Sequence, residues 1–352
     1  MLTLINKVLG LFSKDMGIDL GTCNTLVCVR GQGVVLSEPS VVAVRKGTNQ
    51  ILANGQAVGY AAKEMLGKCP GNIQAIRPLK NGVIADFDIT EAMISYFILK
   101  VHERRRAVRP RVAIAIPSGI TGVEKRAVTN SAERAGAREV FLVEEPLAAG
   151  IGAGLPIQDA IGSMIVDIGG GTTEVAVLSL GSIVTSSSLR VAGDALDEAI
   201  IDHIKRKYGL QIGPQTAEKI KIQIGSVFPL EQEMTMDVKG KDIAGNTPRK
   251  ISVTSQEIRE ALTVPIKQIT GTVKTVLENT PPELSADLCD RGLTIAGGGG
   301  LLRGIDKAFA KEIDIPIRVA DDPLTCVARG TGVVLENLDQ LKESLESSGD
   351  IS

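Results

Sequence analysis

"VDIGGGTTEVAVLSL", Val166 to Leu180, places three consecutive glycines between two runs that both read as buried strands. Glycine serves where the backbone takes positive φ or lies directly against a ligand, because no Cβ intervenes. The flanks add an acid at the end of the first strand, Asp167, and two hydroxyls at the start of the second, Thr172 and Thr173. A carboxylate, bare amides and hydroxyls in one turn suit a metal-bound phosphate. A single copy would equally satisfy an ordinary tight hairpin of type I′ or II′.

The chain holds a second copy. In "GIDLGTCNTLVCV", Gly17 to Val29, Asp19, Gly21 and Thr25 fall in register with Asp167, Gly169 and Thr173, so a D-[IL]-G-x-x-x-T pattern occurs twice. Each copy runs on into apolar residues rather than into a helix, and the sequence contains no G-x-x-x-x-G-K-[ST], so neither is a Walker A loop. Two like strand-turn-strand units nearly half a chain apart predict two related domains, each offering one phosphate-gripping hairpin to a shared cleft.

Composition narrows the partners. The 352 residues suffice for two domains with separate cores. Aromatic residues make up 3%, Trp is absent and the formal net charge is −2, so neither stacking platforms nor a basic field for nucleic acid is expected. Cys23, Cys28, Cys69, Cys289 and Cys326 are scattered without C-x-x-C spacing, which argues against a disulfide scaffold or structural zinc and fits a reducing cytoplasm. Cys23, inside the first turn, reads as a small space-filling residue, with a redox-sensitive thiol as the alternative.

No apolar run reaches the roughly 18 residues of a membrane span. The opening "MLTLINKVLGLFSK" is nevertheless segregated on a helical wheel, Leu2, Leu4, Ile5, Val8, Leu9, Leu11 and Phe12 facing one way and Thr3, Asn6, Lys7, Gly10, Ser13 and Lys14 the other. It lacks the basic leader and small-residue cleavage site of a signal peptide. The favoured expectation is an interfacial helix on the membrane over residues 1 to 15; a helix packed on the first domain is the alternative.

Farther on, strands alternate with helices, as in a mixed, mostly parallel α/β sheet. "RVAIAIPSG" and "VFLVEEP" read as strands, "ITEAMISYFILKVHERRR" and "GVEKRAVTNSAERAG" as helices. The second half repeats the plan with a hairpin over 164–191, helices over 194–208 and 214–225, a strand-rich piece over about 233–254 and a long helix from Ser255 to about Thr280. In "GLTIAGGGGLLRG", Gly297 to Gly300 separate a strand from an expected helix "LLRGIDKAFAKEI", whose N-terminus would point bare amides at the cleft.

Together "GIDLGTCNT", "IRPLKNGVIADF", "EEPLAAGIGAGLP", "VDIGGGTTEVAVLSLG", "TAEKIKIQIG", "TPPELSADL" and "GGGGLLRG" resemble the MreB family of bacterial actins, from about Met16 to Leu335. The D-x-G hairpins alone are shared by actin, Hsp70 and sugar-kinase ATPases. The resemblance implies an actin-like α/β ATPase fold, two RNase-H-like domains flanking a nucleotide cleft. The first domain would span 16–149, with an inserted subdomain at about 36–75 and a returning helix at about 323–338. The second would span 150–322, with an inserted subdomain at about 194–254, before a polar tail over 339–352.

It also implies ATP with Mg²⁺ in the cleft. Thr22, Cys23 and Asn24 would meet the phosphates, opposite Gly169, Gly170 and Gly171. Asp19 and Asp167 would hold Mg²⁺ through waters, Glu218 and Lys221 would meet the adenosine end, and Gly298, Gly299 and Gly300 would pass beneath base and ribose. Glu145 in "EEP" would orient the attacking water, with Thr172 assisting and Glu144 as second candidate; without the resemblance, glutamates at a helix start simply suit the helix dipole. The implied function is an ATP-hydrolysing filament on the inner face of the cytoplasmic membrane, determining rod shape with membrane adaptors and the cell-wall synthesis machinery.

Two departures stand out. Where some relatives carry an apolar membrane loop, this chain has "HERRRAVRP", whose Arg104, Arg105 and Arg106 would attract anionic headgroups or form a solvated helix end. Gly300 stands where relatives often have Ser or Ala. A sugar- or acetate-type kinase is the alternative function. An Hsp70-type chaperone would need a peptide-binding domain for which the polar tail offers no room, and no dinucleotide fingerprint follows a strand.

Overall fold

Each hairpin seeds a sheet. The computed structural model describes residues 14–48, 50–55, 57–80, 82–102, 109–338 and 346–347. Of the helix expected over residues 1 to 15 only Lys14 and Asp15 are described, neither of them helical, and Arg104, Arg105 and Arg106 lie outside the described residues.

In the first half, Met16–Leu20 pairs antiparallel with Asn24–Val29, which pairs antiparallel with Gly33–Pro39. On its other side Met16–Leu20 runs parallel to Arg111–Ile116, and that strand parallel to Glu139–Glu144. The second half repeats the arrangement: Ser163–Ile168, Thr173–Ser179 and Ser182–Leu189 form the antiparallel meander, and Leu293–Ala296 and Ile317–Val319 add the parallel strands. Ser163–Ile168 is buried along its whole length, which is why it reads as a nearly continuous apolar run. Glu346–Ser347, from the expected polar tail, pairs with Glu139–Glu144 and so covers an edge that would otherwise stay open.

Asp15 anchors the entry to the first strand. Its carboxylate accepts from the Arg111 backbone amide at 2.9 Å and from the guanidinium Nε at 2.9 Å, a two-point hold on the neighbouring strand. Helix Phe87–His102 sends Met93, Ile94, Phe97 and Ile98 into the core of the first sheet. The long helix Ser255–Glu278 starts at a capping box, Thr254 with Glu257, and lies in the core of the second. Helix Pro282–Arg291, with proline in its first turn, occupies a stretch in which the sequence pattern marked no element.

Small additions sit on each sheet. The first carries the strand pair Val42–Arg45 and Ile73–Ile76 with the short helices Leu52–Gly55 and Tyr60–Lys63. The second carries helices Gly193–Tyr208 and Pro214–Ile224 and a sheet of Leu210–Gln211, Thr235–Asp242 and Pro248–Thr254.

The halves share a third core built largely from small side chains, including Ala113, Ala115, Ala148, Ala149, Ala176 and Ala296. Two helices cross there, Glu145–Gly152 leaving the first half and Cys326–Glu336 returning to it. Their backbones touch: a Cβ at Gly152 would overlap the carbonyl oxygen of Cys326, and one at Gly330 that of Ala148. Gly17 makes the same allowance for Thr331. A boundary at residue 150 therefore falls inside a helix of the shared core.

Gly330→Val should cost about 3 kcal/mol, because the clash is with backbone on both sides and no rotamer escapes it. Thermal unfolding would show a midpoint lower by roughly 5–10 °C; an unchanged midpoint would mean that the crossing is loosely packed.

Candidate functional site

The tips of the two hairpins face each other across a cleft of about 520 Å³. Asp19, Thr22, Cys23, Asn24, Glu145, Asp167, Gly169, Gly170, Thr172, Glu218, Lys221, Gly298 and Gly299 all line it. Gly171 and Gly300 do not; Gly300 is buried, within reach of Pro323 and Ile295.

Local hydrogen bonds set each tip. In the first, Ser40 Oγ donates to the Gly21 carbonyl at 2.6 Å and lies 2.9 Å from Thr25 Oγ1. In the second, the Gly169 amide closes the turn onto the Thr172 carbonyl at 2.9 Å. The start of helix Gly193–Tyr208 is tied to this turn, since Gly193 and Asp194 amides donate to the Gly169 and Gly170 carbonyls at 3.1 and 2.7 Å. None of Gly169, Gly170 and Gly171 has positive φ, so a left-handed turn does not explain them; close approach does at Gly170. At Gly170 a Cβ would collide with Cys23 Sγ of the opposite tip. Cys23 also donates to Asp194 Oδ1 at 3.5 Å, and burial pushes its thiol up to about 12, so it packs as a thiol rather than reacting as a thiolate.

Asp194 is a node between the halves, taking a 2.7 Å ion pair from Arg77 as well. Lys221 donates to the Gly193 carbonyl at 2.8 Å and pairs with Asp197 at 2.9 Å. Glu218 pairs with Lys63 of the first half at 3.0 Å, while Gln215 Nε2 donates to the Lys63 carbonyl at 2.7 Å. Beyond these polar groups Ile222, Leu301, Leu302 and Leu324 supply an apolar wall.

The glycines after Leu293–Ala296 differ from expectation. They lead into one 3-10 turn, Gly298–Leu301, and the α-helix begins only at Ile305, because Leu302 is extended and Gly304 has φ +73°. Gly297, not among the three glycines expected beneath base and ribose, lines the cleft at φ +77°, and a Cβ there would lie 2.6 Å from Asp167 Oδ1. Its signal was its place as first glycine after a strand.

Carboxylates crowd this site. Burial, then the charge of Asp167, raises Asp19 to about 8, and burial, then Glu174, raises Asp167 to about 7. Glu145, in the first turn of helix Glu145–Gly152, is raised well above the usual carboxylate range by burial and then by Asp19, Glu174 and Asp167. Glu174, absent from the sequence candidates, is raised to about 6 chiefly by burial, although Ser188 Oγ donates to it at 2.6 Å. Glu144 turns instead to Ser118, at 2.9 Å, and is exposed.

The residues present fit a hydrated divalent cation. Asp167 Oδ1 is buried without a hydrogen-bond partner among the described residues. Among those residues no three carboxylate, histidine or cysteine side chains gather closely enough to ligate an ion by themselves. Two aspartates and water match the habit of Mg²⁺.

Two similarly built sheets, each presenting one D-x-G hairpin to a common cleft, define the actin-like class of fold. Solved structures agree. MreB5 of Spiroplasma citri bound to ADP superposes with a TM-score of 0.87 at 39% identity, covering 93% of this chain and 98% of that one. The same protein bound to AMPPNP gives 0.85 at 40% identity, with 93% and 97% covered. A MamK double helical filament, at 23% identity and a TM-score of 0.76, shows the fold alone.

The family model for MreB/Mbl protein matches residues 13–343, and the chain belongs to that family. It is 53% identical over 337 residues to the cell shape-determining protein MreB of Escherichia coli K12, covering 96% of this chain and 97% of that protein. It is 52% identical over 331 residues to the cell shape-determining protein Mbl of Bacillus cereus, covering 94% and 98%. The kinase alternative is not favoured.

Because Asp19 and Asp167 hold protons in the folded state that they lose in the unfolded chain, their contribution to stability is complete below about pH 4 and lost as pH rises through about 7 to 8. Asp19→Asn removes the charge that is buried at a cost. In nucleotide-free protein with chelator, the variant should gain on wild type by about 1–3 kcal/mol as pH goes from 5 to 9. Denaturant titrations of both proteins check this, and a constant difference across that range would contradict it.

Proposed function

We propose that this protein is an ATP-hydrolysing filament protein that determines cell shape, assembling on the inner face of the cytoplasmic membrane. The carrying observation is the pair of aspartates, Asp19 half-buried and Asp167 buried, at opposed hairpin tips with Glu145 beside them in one cleft. The nucleotides named with the Spiroplasma structures support ATP as ligand, and the names of the Escherichia and Bacillus relatives support a role in cell shape.

In this reading the domains are 16–149 and 150–322. Thr22, Cys23, Asn24 and Gly170 bring backbone amides to the phosphates beside Gly169, whose own amide closes the turn, and the Thr22 hydroxyl, accepting from the Gly82 amide at 3.4 Å, helps to close the tip. Glu218 and Lys221 hold the ribose side, and Gly298 and Gly299 allow the base to lie flat. Asp19 and Asp167 would hold Mg²⁺, which supplies charge neutralisation at the phosphates when bound. Glu145 accepts a hydrogen bond from the attacking water, and Thr172 Oγ1 steadies it. Burial and the nearby acids Asp19, Glu174 and Asp167 raise Glu145 well above the usual carboxylate range, so positive charge brought into the cleft would favour its ionised, water-accepting form.

Closure around the nucleotide sets the relative attitude of the two halves, and that attitude selects the neighbour in a filament. Among the described residues no helix is long and apolar enough to cross a membrane. The apolar face of residues 1 to 14 and the charges of Arg104 to Arg106 would supply attachment instead, about 1 kcal/mol per charge near an anionic surface. Adaptors and cell-wall synthesis enzymes would be organised along the polymer.

High-speed pelleting and negative-stain microscopy with Mg-ATP test the filament. Glu145→Ala should bind ATP normally, hydrolyse it at least about 100-fold more slowly and leave longer-lived filaments. Soluble monomers under every condition would overturn the reading. Deleting residues 1 to 14 should abolish co-sedimentation with anionic liposomes; unchanged pelleting would place attachment elsewhere.

A further inference from the structure

The parallel strands of the second sheet have two ends, and only one faces the nucleotide cleft. At the other, Ser163, four residues and about 13 Å along the strand from Asp167, borders a second cavity of about 250 Å³. Arg291, Arg318 and Asp290 border it as well.

Ser163 is 3% exposed, and its hydroxyl has no hydrogen-bond partner among the described residues. A buried hydroxyl in that state is costly unless a ligand or water completes it. Arg318 is held in place: its Nε donates to Thr294 Oγ1 at 2.7 Å, which leaves the terminal nitrogens available. Among the described residues neither Arg318 nor Arg291 forms an ion pair with a carboxylate, although both stand on surface that carries acids. Among the residues that line the cavity two guanidinium groups face the one carboxylate of Asp290, and Asp287, one helical turn before Arg291, is engaged by the Gly162 amide at 2.7 Å.

We propose that this cavity is a phosphate site, taking free phosphate or the phosphate of a small monoester. Guanidinium forks match the oxygens of a phosphate two at a time, and a hydroxyl donor adds a third direction. The volume exceeds that of one phosphate and leaves room for a short ester chain. Asp290 opposes the anion and weakens its binding.

The test uses the full chain saturated with Mg-ADP, so that the nucleotide cleft is filled and no turnover occurs. Inorganic phosphate is titrated while thermal unfolding is followed, with sodium chloride at matched ionic strength as control. Wild type should show a saturable rise in midpoint with phosphate and none with chloride. Arg291→Ala with Arg318→Ala should weaken the response at least tenfold, and Ser163→Ala less; ADP affinity should stay unchanged in both, which shows that the variants are folded.

Glycerol phosphate separates the two sources. Tighter binding than phosphate assigns the site to a monoester, and equal or weaker binding assigns it to free phosphate. An equal response to chloride, or a phosphate response that survives removal of both arginines, would overturn the proposal.

Discussion

Asp19, half-buried, and Asp167, buried, are carboxylates carried by different halves of the chain, and their repulsion is the constraint around which the molecule is arranged. Each is placed by a strand paired on both sides, which fixes the backbone that carries it. Glu145 and Glu174 add further acid to the same volume. A core that gathers so much negative charge favours protons or cations, and a cation brings phosphate with it. In the proposed function the glycine tips would bring bare amides to the anion while the aspartates hold its counterion.

Sensitivity to that charge reaches the rest of the molecule through the crossing of Glu145–Gly152 with Cys326–Glu336. Glu145 opens the first of these helices and Gly152 closes it, so the residue beside the cleft and the residue at the backbone contact belong to one short rigid rod. Contacts across the mouth, Lys63 with Glu218 and Arg77 with Asp194, join the halves at the other side. Change at the cleft therefore has two routes into the relative attitude of the halves, one at the pivot and one at the rim. For an assembling protein that attitude is what a neighbour reads.

Much of this was legible in the residues. The doubled D-x-G pattern carried both hairpins and the internal repeat, because turn chemistry and strand alternation are local properties. Glu145 was placed by the family resemblance of "EEP", and the long helix from Ser255 by the pattern of its own residues. What stayed hidden depends on distant partners. Gly152 and Gly330 are 178 positions apart, and nothing near either one announces that they let two helices touch. Gly297 looked like one of four equal glycines until Asp167 Oδ1 was seen beside it, and Gly300 proved to be packed behind the wall. The turn at Gly298–Leu301 stayed short because Gly304 takes positive φ, which no local count of glycines foretells. Glu174 was not among the expected site residues, although it is buried and stands opposite Asp167 in the antiparallel pair.

The most direct measurement is calorimetric. Mg-ADP binding at pH 7 should be recorded in several buffers of different ionisation enthalpy, which yields the number of protons released. Asp19 at about 8 and Asp167 at about 7 hold protons before binding and must give them up to hold a cation. The account predicts release of about one proton in wild type, and almost none when both are changed to asparagine. Binding of Mg-ADP with no proton release in wild type would show that these carboxylates do not receive the ion, and would contradict the central claim.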